Sequence, residues 1–344
     1  MSVALPDAAA AEVRQAAAQA QANIALIKYW GKRDIALNLP VVGSLSITLD
    51  SLWTRTSVRF DVALDQDEFR LNGRRDDAQL RRVAKCLDLL RSRAGTQVRA
   101  RVESHNNFPT GAGLASSASG FAALIVAGNA ALDLDLSLAE QSILARRCSG
   151  SAARSIFGGF VEWTCGACED GSDSFATPML DASAWPLRVV VAITSKKEKA
   201  IGSTEGMNRT AETSPYQRAW VDGQEADLAI ARAAVQARDF EKLADISEHS
   251  CLKMHALALA AQPGLLYWNA ATMDCMHRVR ALRASGLPVF FTIDAGPQVK
   301  AVCEPQAAAA VAAAMRDVPG VLDVVETGLG GAARLIEINE LAAA

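Results

Sequence analysis

The stretch from Asn106 to Leu132 constrains the fold most. Its second part, Leu114 to Leu132, is a run of small apolar residues with Gly120 and Gly128 inside. A helix made of such residues has no face to offer water, so it belongs inside a core with other elements around it. Its first part, NNFPTGAGLASSASG (Asn106 to Gly120), reads as a turn entering that helix. Pro109 ends the preceding element, and Gly111 and Gly113 permit positive φ and close backbone approach. Ser116, Ser117 and Ser119 put hydroxyls in the first helical turns. Around it, alternation at Val58, Phe60 and Val62, and at Val98, Ala100 and Val102, predicts half-buried strands. Between them Leu80, Val83, Leu87 and Leu90 recur at helical spacing after Asp76 and Asp77, with Gly95 at the expected stop.

Near residue 186 the pattern restarts. A β-branched strand, Leu187 to Ile193, follows Pro186, and a polar stretch from Thr194 to Pro215 comes next. Helical patterns follow at about 223–236, 239–260 and 268–284, then the strand Val289 to Ile293, a helix over 305–316, and strands near 321–326 and 333–338. The expectation is an α+β chain of two domains, 1–186 and 187–344, with antiparallel strands carrying helices on one face. No fixed-period repeat or low-complexity linker interrupts it.

Composition excludes some partners. With 35 Lys plus Arg against 38 Asp plus Glu the net charge is −3, so no basic field invites duplex nucleic acid. No window reaches about 18 uninterrupted apolar residues, so no membrane span is expected. The Ala-rich start, Met1 to Ala22, lacks a cationic head followed by an apolar stretch and does not read as a signal peptide. Seven scattered cysteines in a long chain read as reduced thiols of a cytoplasmic protein. Cys165 and Cys168 have no second Cys or His pair for a zinc ribbon and read as an incidental loop.

Several segments carry chemistry. The turn before Ser116 directs free N–H groups at one spot with a positive helix end behind them, which suits phosphate. No Gly-Lys-Ser/Thr closes it, so it is not a Walker loop, and a plain turn entering a core helix remains open. In NIALIKYWGKRD (Asn23 to Asp34), Ile24, Leu26 and Ile27 read as a buried strand whose end carries Lys28, Lys32 and Arg33. A solvated basic face is the alternative, but Tyr29 and Trp30 interleave with the charges and favour an anion site. Arg154, in SGSAARS with Ser149 and Ser151, offers a planar fork for phosphate or carboxylate. Asp294 ends the apolar strand PVFFTI and opens Ala-Gly-Pro, which exposes a carboxylate at a strand end, although an Asp there also serves simply as a turn-former.

PTGAGLASSAS resembles the phosphate-binding loop of the GHMP kinase superfamily. NIALIKYWGKRD, SGSAARSIFGGFVEW, GSTEGMNRTAETSPYQRAW and FFTIDAGPQVK are similar to segments of its diphosphomevalonate decarboxylase branch. The motifs run from residue 23 to residue 300. The resemblance implies a two-domain GHMP kinase fold, with a ribosomal-protein-like N-terminal domain and a ferredoxin-like C-terminal domain. It implies ATP with Mg²⁺, the metal carried by ATP with Ser117 as a candidate contact, and ATP-dependent decarboxylation of 5-diphosphomevalonate. Asp294 would engage the tertiary hydroxyl, Lys28 would pair with it, and Arg154 would steady the departing carboxylate. Asn23, Tyr29, Lys32, Ser44, Ser46, Ser149, Ser151, Arg154 and Ser203 would contact substrate. Asn106, Pro109, Gly111, Gly113, Leu114, Ala115, Ser116, Ser117 and Ser119 would hold nucleotide. The polar stretch 194–215 is a candidate closing loop, and the family leans to homodimers in the cytoplasm. Departures occur at Val42, Gly43, Gly111, Ala153, Gly202 and Gln298. Those near Ser44 and Ser203 keep open a phosphomevalonate decarboxylase, a mevalonate 3-kinase, or a precursor sensor without chemistry.

Overall fold

A computed structural model describes residues 13–108, 116–197 and 199–341. Pro109, Gly111, Gly113, Leu114 and Ala115 lie outside the described residues, as does the start of the chain up to residue 12. The first half runs β1 (Arg14–Ile27), β2 (Lys32–Asp34), β3 (Leu39–Pro40), β4 (Ser44–Phe60), β5 (Glu68–Leu71), β6 (Arg74–Arg75), α1 (Asp77–Ala94), β7 (Ala100–Asn106), α2 (Ser116–Ala131), α3 (Leu138–Cys148), a 3-10 turn (Gly150–Ile156), β8 (Phe160–Trp163) and β9 (Ala176–Leu180). The second half runs β10 (Arg188–Ile193), α4 (Ser203–Thr213), α5 (Gln217–Asp222), α6 (Gln224–Ala237), α7 (Phe240–Leu259), α8 (Ala270–Ala284), β11 (Val289–Ile293), β12 (Val299–Cys303), α9 (Ala308–Arg316), β13 (Asp323–Gly328) and β14 (Arg334–Ile336).

The larger sheet has the order β14-β1-β4-β7-β5-β6, with β8 on β4 and β9 on β8; the smaller is antiparallel, β11-β12-β10-β13. β1 and β4 pair antiparallel from Arg14 opposite Phe60 to Ile27 opposite Leu45, and the register shifts around Asn23 and again just before Ile27. Such bulges re-aim side chains, and here they fall beside Asn23 and Lys28. The strand β14 returns to pair with β1, so the end of the chain closes the edge of the first sheet.

Alanine favours helix in isolation, yet the Ala/Gln segment Arg14–Ala22 lies in β1 because α2 packs across β1 and β4 and the small side chains let it approach. The helix α2 is buried along most of its length, as its composition requires. At Gly128 an added Cβ would run into the Leu90 side chain of α1, so any larger residue at this crossing would force Leu90 to move. The start and stop of α1 are as read: Asp76 accepts from the Gln79 N–H, and Gly95 closes the helix at φ 64°. The alternation at Val58 and Phe60 belongs to β4, whereas Val62 lies beyond it and is exposed. The polar stretch 194–215 is helical in its second half, where α4 occupies Ser203–Thr213, and its described residues before α4 are irregular.

The cysteines require a correction. Cys86 of α1 and Cys148 at the end of α3 form a disulfide, because the two helices pack side by side and bring their Cα atoms to 5.5 Å. Cys165, Cys168, Cys251, Cys275 and Cys303 are free. The Cys165–Cys168 loop is held by Asp173, whose carboxylate accepts from the N–H groups of Ala167 and Cys168.

The second sheet has two buried faces. Val299, Ala301 and Cys303 of β12 join Phe291 and Ile293 of β11 against α8 and α9. On the other face, Phe290, Val302, Val189 and Val191 pack with Ile24, Leu26, Leu45 and Ile47 of the first half. Each such side chain, fully buried, is worth about 1.5–3 kcal/mol, and this shared core fixes the end of β1 against β11.

Candidate active site

Lys28 follows β1 directly and Asp294 follows β11, so the shared core sets them face to face. Lys28 Nζ lies 2.6 Å from Asp294 Oδ1, and Lys300 Nζ of β12 lies 3.1 Å from Oδ2. Both lysines are 1% exposed, while the Asp294 side chain retains 27% toward the cleft. Burial pushes the carboxyl up, but the two ammonium groups outweigh burial and hold it well below the usual carboxylate range. The backbone is pinned as well. The Lys28 N–H donates to Ser250 Oγ at 3.0 Å, Gln224 donates to the Lys28 carbonyl at 2.9 Å, and Thr292 of β11 donates to the Ala25 carbonyl at 3.2 Å.

Arg154 comes from the 3-10 turn after α3. Its Nη1 donates to Ser44 Oγ at 2.7 Å and its Nε to Asn23 Oδ1 at 3.2 Å. Asn23 in turn donates to Ser155 Oγ at 2.8 Å and to the Ser151 carbonyl at 3.1 Å. Burial brings the guanidinium down to about 10, with Asp294 opposing, so it stays charged at neutral pH. Tyr29 packs edge-on to Trp163, and its buried hydroxyl has no hydrogen-bond partner among the described residues. Burial drives that hydroxyl well above its usual pKa, despite Arg154 and Arg146. An added Cβ at Gly150 would meet Tyr29 Oη at 2.7 Å, so this glycine leaves room for the ring. A buried polar atom without a partner is costly, and Tyr29 is among the residues that line the cleft.

The cleft is large, about 900 Å³. Besides Lys28 and Arg154 it is lined by Lys32, Arg82, Lys85, Arg147 and Lys199, and Asp294 is the only carboxylate among its described lining residues. Gln79, Arg82 and Lys85 lie three apart on α1 and share a face. Lys199 Nζ donates to Ser203 Oγ at 2.8 Å and to the Ala295 carbonyl at 3.2 Å, and burial lowers its pKa. Lys32 donates to Asn38 at 2.6 Å, and its pKa is lowered by burial and then by Arg82. Ser117 and Ser149 face each other at 3.4 Å, with Ser116 beside them. A smaller, mostly apolar pocket adjoins Ser116 and Ser117, lined by Asn106, Phe69, Leu71, Val83 and Phe121.

The cleft thus gathers Asp294, Lys28, Arg154, Asn23, Tyr29, Lys32, Ser149, Ser151, Ser203, Ser116 and Ser117. Other expected residues lie elsewhere. Ser46 is fully buried, its hydroxyl 3.5 Å from the Val161 carbonyl, and Ser44 reaches the site only through Arg154. Ser119 is buried against Thr54, and Asn106 accepts from Thr54 at the small pocket. Arg33 turns to the carbonyls of Cys165 and Cys168. Sequence reasoning missed Lys300, Lys199, Arg82, Lys85 and Arg147. The i, i+3, i+6 polar stripe on α1 was a usable signal, and so was a lysine inside the otherwise apolar strand VKAVC.

The chain is similar to known proteins along most of its length. Residues 20–176 match the diphosphomevalonate decarboxylase-like N-terminal domain, and residues 189–332 match the mevalonate 5-diphosphate decarboxylase C-terminal domain. A diphosphomevalonate decarboxylase of Ganoderma lucidum is 39% identical over 308 residues, covering 83% of this chain and 77% of that one. The human diphosphomevalonate decarboxylase is 39% identical over 298 residues, 81% of this chain and 74% of that one. The structure of the Staphylococcus aureus mevalonate diphosphate decarboxylase superposes with a TM-score of 0.90 at 39% identity, covering 95% of this chain and 99% of that one. The structure of the Enterococcus faecalis mevalonate diphosphate decarboxylase gives 0.86 at 40%, covering 95% and 100%. Another, solved with MVAPP, AMPPCP and magnesium, gives 0.88 at 41%, again covering 95% and 100%. With both domain models matched in order and relatives near 40% identity over most of its length, the chain belongs to the diphosphomevalonate decarboxylase family.

Proposed function

We propose that the chain catalyses the ATP-dependent decarboxylation of (R)-5-diphosphomevalonate to isopentenyl diphosphate, releasing ADP, phosphate and CO2, a step of the mevalonate pathway. The observation that carries this reading is one carboxylate, Asp294, clamped by lysines in a cleft whose other described charged lining residues are all cationic. A multiply charged diphosphate head and a carboxylate are met by many cations, while a neutral tertiary alcohol needs one acceptor.

A tertiary alcohol is a weak nucleophile at neutral pH. Asp294, ionised at any working pH, accepts its hydrogen bond, orients the oxygen toward the γ-phosphorus of ATP and takes the proton as the new P–O bond forms. Lys28, Arg154 and the Ser116–Ser117 helix start face the charge that develops. The 3-phosphate then departs, and the electron pair of the C–CO2 bond moves to form the alkene, releasing CO2. Arg154, held in place by Ser44 and Asn23, keeps a fixed cation beside the site. The Tyr29 hydroxyl supplies a donor to phosphate that no described protein group occupies. The small apolar pocket beside Ser116 suits a nucleobase. Magnesium arrives with ATP and neutralises its phosphates. Among the described residues no cluster of His, Cys, Asp or Glu is arranged to hold a metal, and Ser117 in the cleft fits a hydroxyl contact to the nucleotide's metal.

A homodimer and a cytoplasmic location accompany the reading on family likeness alone. No helix of the described chain is long and apolar enough to cross a membrane. The test is ADP release with Mg·ATP and mevalonate, its 5-phosphate or its 5-diphosphate in parallel. The reading requires turnover of the 5-diphosphate, and turnover of the 5-phosphate alone would replace it with a phosphomevalonate decarboxylase.

A further inference from the structure

We infer that Lys300 is a positioning residue for this reaction, a second anchor that keeps the Asp294 carboxylate aimed when Lys28 engages the substrate. The inference deepens the proposed function and rests on it.

The carboxylate is held one oxygen to each lysine: Lys28 on Oδ1 at 2.6 Å and Lys300 on Oδ2 at 3.1 Å. The two differ in their relation to the cleft. Lys28 lines the cleft and is available to a bound anion; Lys300 is absent from the described lining and touches the site through Asp294. An ammonium drawn partly toward substrate phosphate loosens its hold on Oδ1. With a single anchor the carboxylate would swing about its Cβ–Cγ bond, and the second anchor prevents that.

The position of Lys300 is set by strand alternation. Lys300 stands opposite Thr292 of β11 and Val191 of β10 in a strand buried along its whole length. Its neighbours Val299 and Ala301 face α8 and α9, while Lys300 and Val302 face the first half of the chain. Valine or isoleucine would satisfy the packing of that face. A fully buried ammonium is tolerated only when paired, and this one is paired with the group that the reaction needs. Thr292, its cross-strand partner, ties the same spot to the Ala25 carbonyl of β1.

The test is a double-mutant cycle measured with saturating Mg·ATP and 5-diphosphomevalonate: wild type, Lys300→Gln, Asp294→Asn and the double variant. Lys300→Gln is expected to lower kcat roughly tenfold or more while KM for the 5-diphosphate stays within about threefold. The double variant should turn over within about threefold of Asp294→Asn, since a residue acting through Asp294 has nothing left to lose. It should also melt above Asp294→Asn, which removes the carboxylate that two buried ammonium groups share. A kcat unchanged in Lys300→Gln, or losses that add in the double variant, would overturn the inference. Lys300→Met, apolar and of similar length, takes the place of Gln in the cycle if the glutamine variant does not fold. A wild type inactive on 5-diphosphomevalonate sinks the proposed function and this inference together; an active wild type with an additive cycle sinks this inference alone.

Discussion

Lys28 Nζ and Asp294 Oδ1 lie 2.6 Å apart although 266 residues separate them in the chain. This contact joins the end of β1 to the end of β11 and places the only carboxylate among the described cleft residues beside cations from both halves. Asp294→Asn keeps the shape and removes the acceptor. Turnover should fall by at least roughly two decades while ATP binding, followed by calorimetry, stays within about threefold. Near-normal turnover would remove Asp294 from the chemistry.

Tyr29 supplies a complementary case. Its hydroxyl is buried without a partner among the described residues, so Tyr29→Phe removes an unsatisfied group and should leave the melting temperature unchanged or raise it. If the hydroxyl donates to the substrate diphosphate, KM for 5-diphosphomevalonate should rise about tenfold. A loss of stability with unchanged KM would assign Tyr29 to the core instead.

Acid should weaken the fold through His255. Burial, and then Lys28, lowers its pKa to about 3, and its Nε2 lies 3.3 Å from the Ile293 carbonyl. The unfolded state therefore binds the extra proton between about pH 6.5 and pH 3, and stability falls as pH falls through that window. From pH 7 to pH 5 the loss is about 2 kcal/mol. Urea unfolding at the two pH values reads it directly, and His255→Gln should flatten the dependence. Asp294 adds nothing over that range, because a depressed carboxyl loses its stabilisation only below the unfolded value, about pH 4.

The Cys86–Cys148 bond closes a loop with a sequence separation of 62. Reduction should lower stability by about 2–4 kcal/mol, and Cys86→Ser should reproduce the effect without reductant. Unfolding midpoints that are identical with and without a dithiol would contradict the bond's contribution.

Much of this fold was legible where local and global demands agreed. The small apolar run that became α2 could only be interior, and the Asp76 and Gly95 caps bounded α1. The helices α6, α7 and α8 and the strand β11 carried their own periodicity. Other parts were set by partners distant in the chain. Arg14–Ala22 is a strand because α2 lies across it, and α4 forms in a polar stretch because Met207 packs with Trp30 and Trp220. The disulfide needed the α1–α3 packing to be known. Lys28, Arg154 and Asp294 were readable from their motifs, whereas Lys300 became a site residue only once the hairpin β11–β12 placed it behind the carboxylate. Arg33, three positions from Trp30, read as part of the same cation cluster, yet the short strand β2 turns it toward the Cys165–Cys168 loop.

The most direct test of the account is stoichiometric. Wild-type protein given Mg·ATP and 5-diphosphomevalonate labelled at the carboxyl carbon should release ADP and labelled CO2 in a one-to-one ratio, and no ADP beyond background without the substrate. ADP formed without CO2 would make the protein a 3-kinase, and ATP binding with neither product would make it a sensor; either result contradicts the decarboxylase reading.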